Sequence, residues 1–181
     1  MRIKIDSERA AETFAKFSEN PALQESAQLF ARGLPVAEMI QAMAMNENVL
    51  SAFVGFEKIY PYGNLERALL EKIILRVSQL RECQFCTQSH IAIMTGLGIG
   101  AEASSVPAVT DRERVALAYA EHVVRDSNRI PDEVFKRLHE VFSESEIVEL
   151  TFHIGFISML NLFNNSLQVR YRGEFTQVQI H

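Results

Sequence analysis

Tryptophan is absent from this chain, and cysteine occurs only twice, at Cys83 and Cys86. Glycine and proline are scarce, eight and five in 181 residues, against a usual combined share of roughly 12%. Few breakers, together with many Ala, Leu, Glu and Gln, tilt the chain toward helix. A basic excess is missing too. Lys and Arg total 18 against 23 Asp and Glu, a net charge of −5, which argues against a protein that binds nucleic acid through its phosphates. What is present is ordinary for a globular protein, 48% hydrophobic and 23% charged residues. That composition disfavours disorder, and the length fits one domain, or two small ones at most.

No apolar leader opens the chain. Met1 to Asn20 carries Glu8, Glu12, Lys16 and Glu19, so no secretory signal is expected and a cytoplasmic location is. In that compartment a cysteine pair is not expected to be a structural staple. One stretch, Leu150 to Val169, lacks Asp, Glu, Lys and Arg and is long enough to span a bilayer. It includes His153, Asn161, Asn164, Asn165 and Gln168, which would be costly against lipid. The expectation is a buried core or interface helix, and no membrane partner.

Helical periodicity runs almost throughout. Helices are expected over Ala22–Ala31, Pro35–Ala44 and Val49–Tyr60, the last broken by Pro61 and Gly63. Leu65–Leu80 carries the stripe Leu69, Leu70, Ile73, Ile74, Val77 and Leu80, with Asn64 as its expected N-cap. From Cys86 a further helix runs to the stop signals Gly96, Gly98 and Gly100. Ala101–Val109 reads as loop. Thr110 and Ser143, each followed three residues on by Glu113 and Glu146, have capping-box spacing. They open helices to about Arg125 and over Ile147–Leu167, with a short helix from Pro131 between them. The tail Phe175–Ile180 alternates, as a short strand or an extended arm would. No linker divides the chain.

The chemically loaded stretch is Cys83-Gln84-Phe85-Cys86-Thr87-Gln88-Ser89-His90. On a helix, positions three and seven residues on return to the face of the first. Cys83, Cys86 and His90 therefore share a face. Two thiols on one turn can close a disulfide, a helix N-terminus favours thiolate, and His90 lies within reach of Cys86 as a base. These are the parts of a dithiol redox site. Other readings compete. Zinc could take Cys83, Cys86 and His90 with His122, His139 or His153 as a fourth ligand, although no second close-spaced ligand pair exists. Two inert buried thiols are the bland reading. Haem attachment needs His directly after the second cysteine, where Thr87 stands. His153 reads most simply as a core histidine, and Asn161, Asn164 and Asn165 as interhelical hydrogen-bonding residues.

The spacing Glu71-x11-Cys83-x2-Cys86-x3-His90, followed by the Gly96/Gly98 stop, resembles the alkylhydroperoxidase D-like branch of the carboxymuconolactone decarboxylase family, over most of residues 45–168. The resemblance implies an all-α helical bundle that is oligomeric. Residues 1–44 would form a helical extension and 169–181 a tail of a single domain. It implies a thiol-dependent peroxidase with Cys86 as nucleophile, Cys83 as resolving thiol, His90 as base and Glu71 as its orienting partner. No cofactor is implied; the expected partners are a peroxide and an unidentified dithiol reductant or reductase. A decarboxylase of the same family and a non-enzymatic redox-sensing oligomer are the alternatives. One departure stands out: well-known members place a second His at the position of Phe85, which cannot move protons. That departure leaves room for a weaker peroxidase or another thiol–disulfide role. Helical geometry alone favours Cys86 through its nearness to His90, whereas the helix dipole favours Cys83; the resemblance decides for Cys86. Glu71 poses a geometric demand. On one unbroken helix it would lie about 18 Å from Cys83, so the chain must turn near Ser78 to Glu82, where no Gly or Pro announces it. Otherwise Glu71 is a solvated surface carboxylate.

Overall fold

The structure is a computed structural model and describes residues 1–56, 60, 63–100 and 106–180. Among these it is all helix and turn, with no strand. The helices are α1 (Ser7–Ala15), α2 (Gln24–Ala31), α3 (Glu38–Ala44), α4 (Glu47–Phe56), α5 (Arg67–Leu80), α6 (Gln84–Gly96), α7 (Asp111–Asp126), α8 (Asp132–Val141) and α9 (Glu144–Leu167). Short 3-10 turns at Pro21–Leu23 and Glu174–Thr176 complete the described elements. The expected helix from Ala22 begins as the first of these turns. The helix expected to reach Tyr60 ends at Phe56 in the structure; residues 57–59 lie outside the described set, and Tyr60 sits in a turn. Residues 101–105 of the expected loop also lie outside it.

The bundle is organised around α5, which packs against α6, α7 and α9. Leu69, Leu70, Ile73, Ile74 and Val77 are buried as the stripe predicts, whereas Leu80 is exposed. α5 buries Glu71, Lys72 and Ser78 as well, so it is enclosed well beyond a single apolar stripe. Lys72 pairs with Glu113 at 2.6 Å and Arg76 with Glu121 at 2.6 Å, fixing α7 alongside. Asn64 is not the N-cap of α5; Glu66 is. The Asn64 side chain turns instead to Glu149 on α9, which also accepts the backbone N–H groups of Asn64 and Leu65 at 2.7 and 3.1 Å. At the other end Asn161 donates to Ser78 at 3.2 Å. The start of α5 thus meets the start of α9 and the two ends meet, so the helices run parallel. Gly63 lets the loop lie against Glu149, where a Cβ would collide with the carboxylate.

Both capping boxes form, at Thr110/Glu113 and Ser143/Glu146. Glu146 also pairs with Arg112, whose guanidinium lies 4.0 Å over the Phe142 ring. The Ser143 N–H, the Arg112 guanidinium and the Ser143 hydroxyl, all donating to the carboxylate, hold the Glu146 pKa down at about 2. α6 ends where the glycines predict, with Gly98 left-handed at φ 71°. The tail is an arm rather than a strand. Gln179 and Gln28 exchange hydrogen bonds of 2.9 Å, and Phe175 packs over the interior.

α9 is long and apolar enough, by length and composition, to cross a membrane, with 44% of its most apolar window buried inside the protein. Leu150, Ile154 and Ile157 face the core, while Val148, Met159 and Leu162 are exposed.

Candidate active site

The turn demanded by Glu71 is present, and it is made without glycine or proline. α5 stops at Leu80, and Glu82 takes the left-handed conformation at φ 53°. The N–H groups of Glu82 and Cys83 close onto Gln79 and Ser78 at 3.0 and 2.9 Å. Reversing there folds α6 back along α5 and makes Cys83 the N-cap of α6. Its sulfur accepts the N–H of Cys86 at 3.3 Å, the place a Ser or Asp oxygen usually fills. Cys86 lies in the first turn, where the helix dipole favours an anion, and His90 follows one turn later. Cys83 and Cys86 are paired as a disulfide with their Cα atoms 5.4 Å apart.

His90 does not stand alone. Its Nδ1 lies 2.7 Å from Glu71 Oε2. The other carboxylate oxygen accepts the Tyr60 hydroxyl and faces Arg67 Nε at 3.5 Å. Glu71 is fully buried, so the solvated reading of it is set aside. Burial pushes the Glu71 carboxyl up, but the His90 charge and hydrogen bond, the Tyr60 hydroxyl and Arg67 together hold it below the usual range. A carboxylate on Nδ1 fixes the imidazole ring and directs Nε2 outward. The sequence singled out Cys83, Cys86, His90 and Glu71, and the structure brings all four together. Tyr60 escaped sequence reasoning; a lone tyrosine before Pro61 carries no motif.

Two residues of α9 complete the surroundings. Asn164 donates from Nδ2 to Cys86 Sγ at 3.3 Å. Its expected interhelical bond is therefore made to the sulfur itself. His153 is 2% exposed, and its Nε2 has no hydrogen-bond partner. The nearest charge is Glu149 Oε1 at 3.9 Å. Burial pulls the His153 pKa below its ordinary value, with Glu149 opposing in part.

Cys86, His90, His153 and Asn164 line a cavity of about 110 Å³. Its remaining wall is chiefly apolar, from Ile40, Phe53, Ile74, Phe85, Phe156 and Phe175 among others. Phe85, between the two cysteines, is buried with its edge toward Tyr171 at 6.2 Å. It forms part of the apolar wall of the cavity. Among the described residues no group of three or more His, Cys, Asp or Glu is arranged to hold a metal ion. The arrangement can hold a thiolate beside an oriented imidazole, close a second thiol onto it, and exclude water with an apolar wall.

The carboxymuconolactone decarboxylase family model matches residues 48–122. The uncharacterized protein YnjA of Escherichia coli (strain K12) is 30% identical over 134 residues, 69% of this chain and 72% of that one. An uncharacterized peroxidase-related protein from Ralstonia eutropha JMP134, with an alkylhydroperoxidase AhpD core, superposes with a TM-score of 0.78 at 18% identity, over 99% of this chain and 96% of that one. The debrominase Bmp8 does so with a TM-score of 0.68 at 19% identity, over 91% of each chain. At these identities the two structures share their fold with this chain.

Proposed function

The chain belongs to the carboxymuconolactone decarboxylase family, and on that premise we propose that it is a thiol-dependent peroxidase cycling through Cys86 and Cys83. The observation that carries the reading is the disulfide pair Cys83–Cys86 at a helix start, one turn from a histidine held by a buried carboxylate. His90 takes the proton of the Cys86 thiol. The thiolate attacks the terminal oxygen of a hydroperoxide; the S–O bond forms, the O–O bond breaks, and the alkoxide takes the proton back from His90 and leaves as alcohol. Cys86 is now a sulfenic acid. Cys83, deprotonated, attacks the Cys86 sulfur; the S–S bond forms, and hydroxide leaves with a proton as water. A dithiol reductant returns both thiols and is itself oxidised to a disulfide.

The apolar wall supports an organic hydroperoxide over hydrogen peroxide. Phe85 in place of a proton-carrying residue leaves His90 as the ionisable group one turn beyond Cys86, which supports a slow enzyme. The exposed stripe Val148, Phe152, Met159 and Leu162 on α9 supports assembly with further copies of the chain. We place the protein in the cytoplasm, free of cofactor, membrane or nucleic acid. The deciding experiment is consumption of cumene hydroperoxide with a panel of dithiols. Many equivalents reduced per protein is the expected result; a single equivalent makes the pair a sensor, and none removes the peroxidase reading.

A further inference from the structure

We propose that Asn164 is a catalytic residue of this site. Its amide N–H holds Cys86 as thiolate, and its carbonyl oxygen receives the hydroxyl of Cys86 once the sulfur is oxygenated. The second half rests on the peroxidase reading above; the first does not.

Asn164 is 1% exposed and lines the cavity beside Cys86. Its Nδ2 lies 3.3 Å from Cys86 Sγ and 3.3 Å from Met39 Sδ. A primary amide has two N–H groups, and here each faces a sulfur. The opposite orientation would aim oxygen lone pairs at two acceptors, so the chemistry of the neighbours fixes which end points where. A neutral thiol gains little from such a donor. A thiolate gains a charge-assisted hydrogen bond, and a donor that favours the charged form lowers the pKa of the group. The amide and the start of α6 act on Cys86 in the same direction, and the amide does so without bringing a charge into an apolar cavity.

The other end of the amide is the second observation. Asn164 Oδ1 is buried and has no hydrogen-bond partner, which native proteins rarely tolerate without a use. The backbone around it is anchored, since Val169 N–H closes onto the Asn164 carbonyl at 2.9 Å. Attack of Cys86 on the terminal oxygen of a hydroperoxide breaks the O–O bond, releases alcohol and leaves an S–O–H group. That group brings a new donor into the cavity beside an acceptor with nothing to accept. Asn164 thus supplies the donor the sulfur needs before the reaction and the acceptor it needs after.

The test uses Cys83→Ser, which isolates one thiol and places a good N-cap residue at the start of α6. The ionisable groups around Cys86 are then His90 with Glu71 behind it, Tyr60, Arg67, Glu25 and His153, all kept constant. The Cys86 pKa is read from thiolate absorbance and from the pH dependence of iodoacetamide alkylation. We expect it below the ordinary thiol value of about 8.5. Asn164→Leu should cut the thiolate fraction at neutral pH about tenfold, equivalent to about one pH unit. Asn164→Asp, which keeps the volume, should cut it further. After cumene hydroperoxide, the dimedone-trappable sulfenic acid should be shorter-lived in Asn164→Leu, which removes the acceptor, and not in Asn164→Asp, which keeps one. An ordinary Cys86 pKa in Cys83→Ser, or one that neither Asn164 variant moves, overturns the role in the thiolate. A shifted pKa with unchanged sulfenic acid lifetime in Asn164→Leu overturns the role in the product. A shifted pKa with no sulfenic acid in any protein leaves Asn164 holding the thiolate and sinks the peroxidase reading instead.

Discussion

Glu71 and His90 lie on different helices, 19 residues apart in sequence, and meet at 2.7 Å. Neither helix alone makes this contact; the left-handed residue at Glu82 does, by turning α6 back along α5. The carboxylate is fully buried and its pKa is held below the usual range, so it is charged at neutral pH and orients the imidazole. Glu71→Gln keeps the shape and removes the charge. The expected result is peroxide consumption slowed by about 10²–10⁴-fold with the protein still folded. Stopped-flow oxidation of Cys86 checks it, and an unchanged rate would remove Glu71 from the mechanism.

The thiols should differ in what they leave behind. Cys86→Ser is expected to abolish peroxide consumption and give no sulfenic acid. Cys83→Ser should give a trappable sulfenic acid on Cys86 and then stop after one equivalent, for want of a resolving thiol. Mass spectrometry after dimedone treatment distinguishes them. Sulfenic acid on Cys83 in the Cys86→Ser protein, formed at the normal rate, would reverse the assignment.

His153 bears on stability against pH. Its pKa is lowered by burial in the folded protein and stands near 6.5 in the unfolded chain. Between those values the unfolded chain binds more protons, so stability falls as pH drops below about 6.5. Glu71 adds to this at lower pH: its contribution is present above its unfolded pKa and is lost as pH falls through the folded one. His153→Leu should flatten the loss between pH 7 and 5 and leave the acid limb near pH 4. Urea melts at a series of pH values measure both limbs, and parallel curves for the two proteins would refute the assignment.

The turn at Glu82 is a stability test. A residue other than glycine at φ 53° carries about 1–2 kcal/mol of local strain, and glycine relieves it while adding about 0.5–1 kcal/mol of chain entropy in the unfolded state. Glu82→Gly should therefore gain only about 0.5 kcal/mol, whereas the β-branched Glu82→Val should cost more than 1 kcal/mol. Calorimetry on the reduced proteins checks the order, and a more stable Val variant would contradict it.

The outward face of α9 can be tested by charge. If Val148 and Leu162 meet another copy of the chain, Val148→Glu combined with Leu162→Glu should shift the protein to smaller species in sedimentation velocity without lowering its helix content. A native protein that already sediments as a stable monomer at micromolar concentration would remove the proposal.

How much of this was legible in the sequence depended on whether the signal was local. The capping boxes at Thr110 and Ser143 and the glycine stop after α6 each arise within a few residues, and the local spacing marks them. Asn64 has the look of a helix cap, but its partner, Glu149, is 85 residues away. Leu80 continues the apolar stripe, but the helix ends there and its side chain reaches solvent. Glu71 is marked only by the family resemblance, because the turn that brings it to His90 has no glycine or proline. Tyr60 and the direct contact of Asn164 with Cys86 depend on tertiary packing that no spacing rule encodes.

The burial of the cysteines has a consequence for anyone attaching probes to this protein. Cys83 is 0% and Cys86 2% exposed, and in the paired form neither offers a thiol. A maleimide dye added without reductant should therefore find no native target. Lys136→Cys on α8, where the native side chain is 70% exposed, would carry the label alone. The native pair could stay in place, so that fluorescence or spin-label distances are recorded on a protein whose reactive centre is unaltered.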